Sequence, residues 1–139
     1  MASQYWLFKS EPDVYSFDDL VKDGKTNWDH VRNFQARNFL KQVKKGDQAL
    51  IYHSNADKAV VGIARCVREG YPDIAEDGKE WVQIDLAPVR KLGLPVELSR
   101  LKSTPALKDL LLIRQSRLSC LPITREEFET ILSLAEKNG

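Results

Sequence analysis

The chain alternates short apolar runs with turn residues, and this pattern predicts a small sheet with helices around it. Residues 5–9 and 48–54 are runs rich in aromatic and β-branched residues that end at polar or turn residues. Residues 59–67, 80–92 and 117–121 supply three further strand candidates. About five strands joined by hairpins, without regular strand–helix–strand crossovers, predict an α+β fold around a small mixed barrel or curled sheet.

Helix signals lie between and after these runs. Ser16 is an N-cap candidate followed by acidic residues, and Gly24 is placed to end that helix. Residues 31–43 carry one apolar stripe at helical spacing, and residues 95–113 contain leucines typical of one or two short helices. A capping box that starts at Thr124 predicts an amphipathic C-terminal helix.

Length and composition favour one globular domain that spans residues 1–139. Hydrophobic residues make up 42% of the chain and charged residues 29%, which is typical of globular proteins and atypical of disordered or disulfide-rich ones. Cys66 and Cys120 lie inside apolar runs and are predicted to be buried, reduced thiols. Since no leader or membrane span is recognisable, we expect a cytoplasmic protein. Since no tail and no long basic run are recognisable, we also expect the protein to be bacterial.

Charge is arranged in blocks, although the formal net charge is only +1. Residues 25–68 carry nine basic and three acidic residues, and residues 87–117 carry seven and two. Residues 69–86 carry one basic and six acidic residues. A local basic surface is compatible with binding a phosphate backbone, because counterion release depends on local cations. A solvated helix face is an equally good interpretation of the same pattern.

Motifs for catalysis are sparse. The sequence has no HExxH motif, no glycine-rich phosphate loop and no G-x-S-x-G element, so we expect no catalytic residues, no metal and no cofactor. One enzymatic alternative remains, a nucleotide- or nucleic-acid-directed hydrolase in which Glu11 and His53 act as an acid/base pair. A protein-interaction module is a third possibility.

Polar and aromatic residues gather where predicted elements end. Trp28 precedes the helix candidate, and residues 9–11 and 52–54 follow two strand candidates. The ends of neighbouring elements can form one concave site, where a ring such as Trp28 or Tyr52 would stack on a nucleobase and polar groups would bind its edge. The competing interpretations are a core tryptophan and a capped strand end.

At these residues the sequence resembles a known family, the EVE domain. The resemblance is carried by residues 5–12, 15–20 and 28–38, by Gly46-Asp47, and by the run Tyr52-His53-Ser54-Asn55. Residues 61–64, 71–73 and 117–119 match as well, so the resemblance covers nearly the whole chain. Cys120 departs mildly from the family pattern, where a small aliphatic residue is expected.

The resemblance implies a PUA-like fold, a curled mixed barrel of about five to six strands with peripheral helices, related to YTH and ASCH domains. It also implies a non-catalytic reader of modified bases, chiefly modified cytosine in DNA with RNA as an open alternative, that flips the base into a pocket. The implied pocket residues are Lys9, Ser10, Glu11, Trp28, Val31, Asn33, Tyr52, His53, Ser54, Leu118 and Ser119. We expect phosphate contacts from Arg32, Arg37, Lys41 and Arg117.

The expected partner is therefore a nucleic acid that carries a modified base. No membrane or metal partner is expected. The sequence leaves the oligomeric state open, with a monomer as the default.

Overall fold

The computed structural model describes residues 4–29, 31, 33–54, 58–74, 77–115 and 118–136. The strands are β1 (Tyr5–Ser10), β2 (Thr26–Trp28), β3 (Gln48–His53), β4 (Ala59–Asp73), β5 (Trp81–Glu97) and β6 (Cys120–Ile123). The helices are α1 (Phe17–Asp23), α2 (Phe34–Leu40), α3 (Leu98–Lys102), α4 (Leu111–Arg114) and α5 (Arg125–Glu136), with a 3₁₀ turn at Pro105–Leu107.

The strands form one mixed sheet of six strands in the order β2-β5-β4-β3-β1-β6. β1 pairs with β3 in parallel, and the other pairings are antiparallel. The predicted α+β, PUA-like fold is confirmed. Within the described residues the sheet is not closed into a barrel, because β2 and β6 are its two edges.

The local helix signals are confirmed at atomic level. The Ser16 side chain accepts a hydrogen bond from the Asp19 N–H, the Asp19 carboxylate accepts one from the Ser16 N–H, and Gly24 ends α1 with φ of 78°. Thr124 and Glu127 make the corresponding reciprocal bonds before α5. These bonds need only neighbouring residues, so sequence is sufficient to predict them.

Other element boundaries differ from the prediction. α2 begins at Phe34 and not at residue 31, because the Asn33 side chain caps it by accepting from the Ala36 N–H at 2.9 Å. β4 and β5 extend to Asp73 and Glu97, and their pairing passes through several register shifts. Such irregularities bend and twist a long hairpin.

The core lies between the sheet and the helices. Trp6, Phe8 and Phe17 are its largest fully buried side chains. Cys66 and Cys120 are buried free thiols, as predicted, and burial raises the pKa of Cys66 to about 11. None of the helices in the described ranges is long and apolar enough to cross a membrane.

Candidate functional site

A cavity of about 480 Å³ opens beside the ends of β1 and β2. That volume is within the range of small-ligand pockets. Its walls come from the end of β1, the turn after it, β2 with the residues that follow, and the segment before β6. The lining residues are Lys9, Ser10, Glu11, Val14, Tyr15, Thr26, Asn27, Trp28, Asp29, Val31 and Ser119.

The parallel pairing of β1 with β3 fixes the first wall. Parallel strands end at the same edge of a sheet, and Ser10 lies opposite His53 in the register. The Ser54 N–H donates to the Ser10 carbonyl oxygen at 2.9 Å, and the Ser10 hydroxyl donates to the Tyr15 carbonyl oxygen. The carbonyl oxygen of Glu11 accepts from the N–H of Tyr15 at 2.8 Å. These bonds hold the turn after β1 against the cavity.

Trp28 forms the aromatic wall. It is half-buried at the end of β2, where it pairs with Ile84 of β5. Its ring centroid lies 5.5 Å from that of Phe8, which is fully buried. The indole therefore contacts the core, as one interpretation of the sequence expects, and also lines the cavity, while its stacking on a base stays a prediction.

A hydrogen-bond chain positions the carboxylate of Asp29. The Asn27 side-chain amide donates to Asp29 Oδ2 at 3.0 Å and to Gln83 Oε1 at 3.1 Å. Gln83 in turn donates to the carbonyl oxygen of Pro72 at 3.0 Å. The chain ties the residues after β2 to the β4–β5 hairpin and holds an acceptor group at the cavity wall.

The described residues that line the cavity include one cation and two carboxylates. Burial lowers the pKa of Lys9, so its ammonium is partly desolvated at this wall. Glu11 and Asp29 supply the carboxylates, and Ser10, Thr26 and Asn27 the neutral polar groups. Two carboxylates repel a phosphate, whereas alternating donors and acceptors suit a neutral, planar heterocycle.

The structure brings together around the cavity six of the residues named from the sequence, and these are Lys9, Ser10, Glu11, Trp28, Val31 and Ser119. The other five do not line it, and these are Asn33, Tyr52, His53, Ser54 and Leu118. Tyr52 and Leu118 are buried in the core, with 3% and 2% of their surface exposed. Asn33 caps α2, and Ser54 bonds to the Ser10 carbonyl oxygen.

His53 forms a hydrogen bond with the backbone at the start of α1. Its Nε2 accepts from the backbone N–H of Phe17 at 3.1 Å, which leaves the neutral ring with its proton on Nδ1. Glu11 lines the cavity and His53 does not, so the two are not brought together there as the hydrolase alternative requires.

The predicted phosphate contacts lie outside the cavity or outside the described residues. Arg37 is on α2 and donates to the carbonyl oxygen of Glu80 at 3.0 Å. Lys41 is exposed at the C-terminal end of α2. Arg32 and Arg117 lie outside the described residues.

Five residues that line the cavity were not predicted from the sequence, namely Val14, Tyr15, Thr26, Asn27 and Asp29. Tyr15 and Asp29 stand within the segments that carry the family resemblance, so a signal for them was present. Thr26 and Asn27 belong to a strand of three residues with no apolar pattern, and only its pairing with β5 places them at the site. Within the described ranges, His, Cys, Asp and Glu form no group of three or more that could hold a metal ion.

Comparison with known proteins identifies the family of this chain. The pattern of the EVE domain family matches residues 4–134. The chain belongs to the EVE domain family. Human thymocyte nuclear protein 1 is 37% identical to this EVE domain over an alignment of 169 residues, which covers 97% of this chain and 75% of that protein.

Two solved structures have nearly the same fold as this EVE domain. One is the human THYN1 protein in complex with DNA that contains 5-methylcytosine, with a TM-score of 0.92, 36% identity, and coverage of 99% of this chain and 100% of that chain. The other is a hypothetical protein from Leishmania major, with a TM-score of 0.92, 35% identity, and coverage of 97% and 96%.

Proposed function

We propose that this EVE domain is a non-catalytic reader of modified bases in DNA, with modified cytosine as the base that enters the cavity. The observation that carries the proposal is the cavity itself, in which the half-buried Trp28 ring stands beside the Lys9 ammonium and the carboxylates of Glu11 and Asp29. The complex of the similar human protein with 5-methylcytosine DNA supports the same conclusion.

The polar groups match the edge of cytosine. Cytosine offers an exocyclic amine as a donor and a ring nitrogen and a carbonyl oxygen as acceptors. The Asp29 carboxylate, which the Asn27 side chain orients, can accept a hydrogen bond from the amine of cytosine. The Lys9 ammonium can donate to one of the cytosine acceptors. Stacking on an aromatic ring contributes about 1–3 kcal/mol per base, which offsets the few kcal/mol needed to extrude it from a duplex.

Selection for the modification follows from how it fills the apolar part of the cavity. A methyl group in an apolar slot gives about 1–3 kcal/mol of discrimination, so we expect a clear but limited preference. Val14, Trp28 and Val31 are the lining residues with apolar surface for such a contact. RNA with a modified base is the alternative ligand, and it uses the same groups.

Phosphate contacts in this proposal are made by Arg32, Arg37, Lys41 and Arg117. Their contribution makes affinity fall as salt rises. The cytoplasmic location, the bacterial source and the monomeric state expected from the sequence stay predictions.

The test is a binding titration with Trp28→Ala. Fluorescence anisotropy would measure the affinity of parent and variant for DNA and RNA oligonucleotides that carry cytosine or 5-methylcytosine, at two salt concentrations. We expect the variant to bind the modified DNA at least fivefold more weakly, in line with the loss of one stacked base. Circular dichroism would check that it is folded.

Tyr5→Ala is the matched control. Tyr5 also packs half-buried against a core ring, with its centroid 4.5 Å from that of Phe128, but it does not line the cavity. The control should lose stability and keep its affinity. A folded Trp28→Ala protein that binds every oligonucleotide as tightly as the parent would refute the proposal.

A further inference from the structure

A second aromatic site lies on the surface where α2 meets the start of β5. Phe34, the first residue of α2, has half of its surface exposed, at 50%. Its ring stacks on that of Trp81 with centroids 5.1 Å apart and planes 17° from parallel. Trp81 itself is buried, and its indole N–H donates to Asp77 Oδ2 at 2.9 Å. The anchored indole therefore supports an exposed phenyl ring, which we call the Phe34 platform.

Two cations lie over the Phe34 ring. The guanidinium carbon of Arg37 is 4.9 Å from the Phe34 ring centroid, and the ammonium of Lys79 is 5.2 Å from it. Within the described residues neither cation forms an ion pair with a carboxylate, and Arg37 bonds only to the Asn38 side chain and to the carbonyl oxygen of Glu80. A base that stacks on Phe34 takes the place of the exposed Lys79 ammonium over the ring, and that ammonium then lies close to the phosphate of the same nucleotide.

The platform is close to the cavity. Val31 lines the cavity and stands three residues before Phe34 in the chain, so at most about 11 Å of backbone separates their Cα atoms. Stacked nucleotides follow each other at about 3.4 Å per step, so a strand with one base in the cavity reaches the platform within a few nucleotides.

We propose that the Phe34 platform is a second nucleic-acid contact, which stacks a base of a nucleotide near the one held in the cavity. This inference rests on the proposed function, because that function supplies the strand. Lys79 is the single basic residue in the acidic block of residues 69–86, and it stands at this ring. Its neighbours Asp77 and Glu80 are acidic, so stacking carries the contact more than charge does.

The platform sets how tightly a strand is held and leaves the choice of modification to the cavity. Phe34→Ala should therefore weaken binding of an oligonucleotide of about ten nucleotides at least fivefold, and equally for cytosine and 5-methylcytosine. Binding of the isolated 5-methylcytosine nucleoside, which is too short to reach the platform, should be unchanged. Phe34→Trp, which keeps an aromatic face, should retain the affinity of the parent, and Phe34→Leu, which keeps only apolar bulk, should not.

Val89→Ala is the matched control, because Val89 is also apolar and 49% exposed but lies eight residues along β5 from Trp81. The measurement is anisotropy titration for the oligonucleotides and calorimetry for the nucleoside. Unchanged oligonucleotide affinity in Phe34→Ala would overturn the inference, and so would a loss confined to the modified base. A parent that binds oligonucleotides without preference for the modification, and loses affinity on Phe34→Ala, would refute the proposed function and support the platform.

Discussion

Replacement of Gly62 by alanine should destabilise the protein through one identifiable contact. A Cβ at this position in β4 would lie 2.5 Å from Cε1 and Cζ of the Phe17 ring. Non-bonded carbon atoms prefer separations of about 3.5–4.0 Å, so the ring must move by roughly 1 Å. Phe17 is only 1% exposed, and its backbone N–H is bonded to His53, so little room exists for that movement.

The size of the effect follows from two opposing contributions. Overpacking of a well-packed core reduces stability by about 1–3 kcal/mol. The loss of glycine's freedom in the unfolded chain stabilises by about 0.4–1 kcal/mol. The net expectation is a loss of roughly 1–2 kcal/mol, which corresponds to a fall in Tm of about 3–8 °C for a chain of this length. Urea denaturation and a thermal scan would measure both quantities.

A double-mutant cycle identifies the cause. In a Phe17→Leu background the ring is gone, so Gly62→Ala should become nearly neutral. Gly70→Ala is the control, because a Cβ there meets nothing within 4 Å. If Gly62→Ala has the same effect in both backgrounds, or none in the parent, the steric argument is wrong.

Two further predictions concern a half-buried histidine and a buried aspartate. Burial lowers the pKa of His53, so the unfolded chain takes up the proton first as pH falls below about 6.5, and the free energy of unfolding should decrease there. His53→Gln, which keeps an acceptor for the Phe17 N–H, should flatten that pH profile, and an unchanged profile would contradict the assignment. Asp47 is buried and accepts from the Trp6 indole N–H at 3.0 Å and from the backbone N–H groups of Lys44 at 2.9 Å and Gln4 at 3.1 Å. Asp47→Ala should reduce stability by roughly 2–4 kcal/mol in urea denaturation, because these donors lose their partner, and a loss below about 0.5 kcal/mol would contradict the prediction.

The candidate site was only partly predictable, and the reason is visible at particular residues. Lys9, Ser10 and Trp28 were recognisable because polar or aromatic residues directly follow or precede apolar runs. Tyr52 looked similar at the end of its strand, but the pairing of β3 buries it in the core. The neighbouring strand decides which residue at the end of a strand faces a cavity. A pattern in a single sequence does not show which strand that neighbour is.

The local features of this protein are predictable from short stretches of its sequence. Strand β1, the caps of α1 and α5, and the burial of Cys66 and Cys120 follow from short-range patterns or from an apolar setting. The remaining features depend on contacts between distant parts of the chain. Thr26–Trp28 is a strand because it pairs with β5. The fold places Asn27 and Asp29 at the cavity, and it stacks the Phe34 ring on that of Trp81. The physical reason is that these contacts join residues far apart in the chain, and they become favourable only once the sheet has assembled.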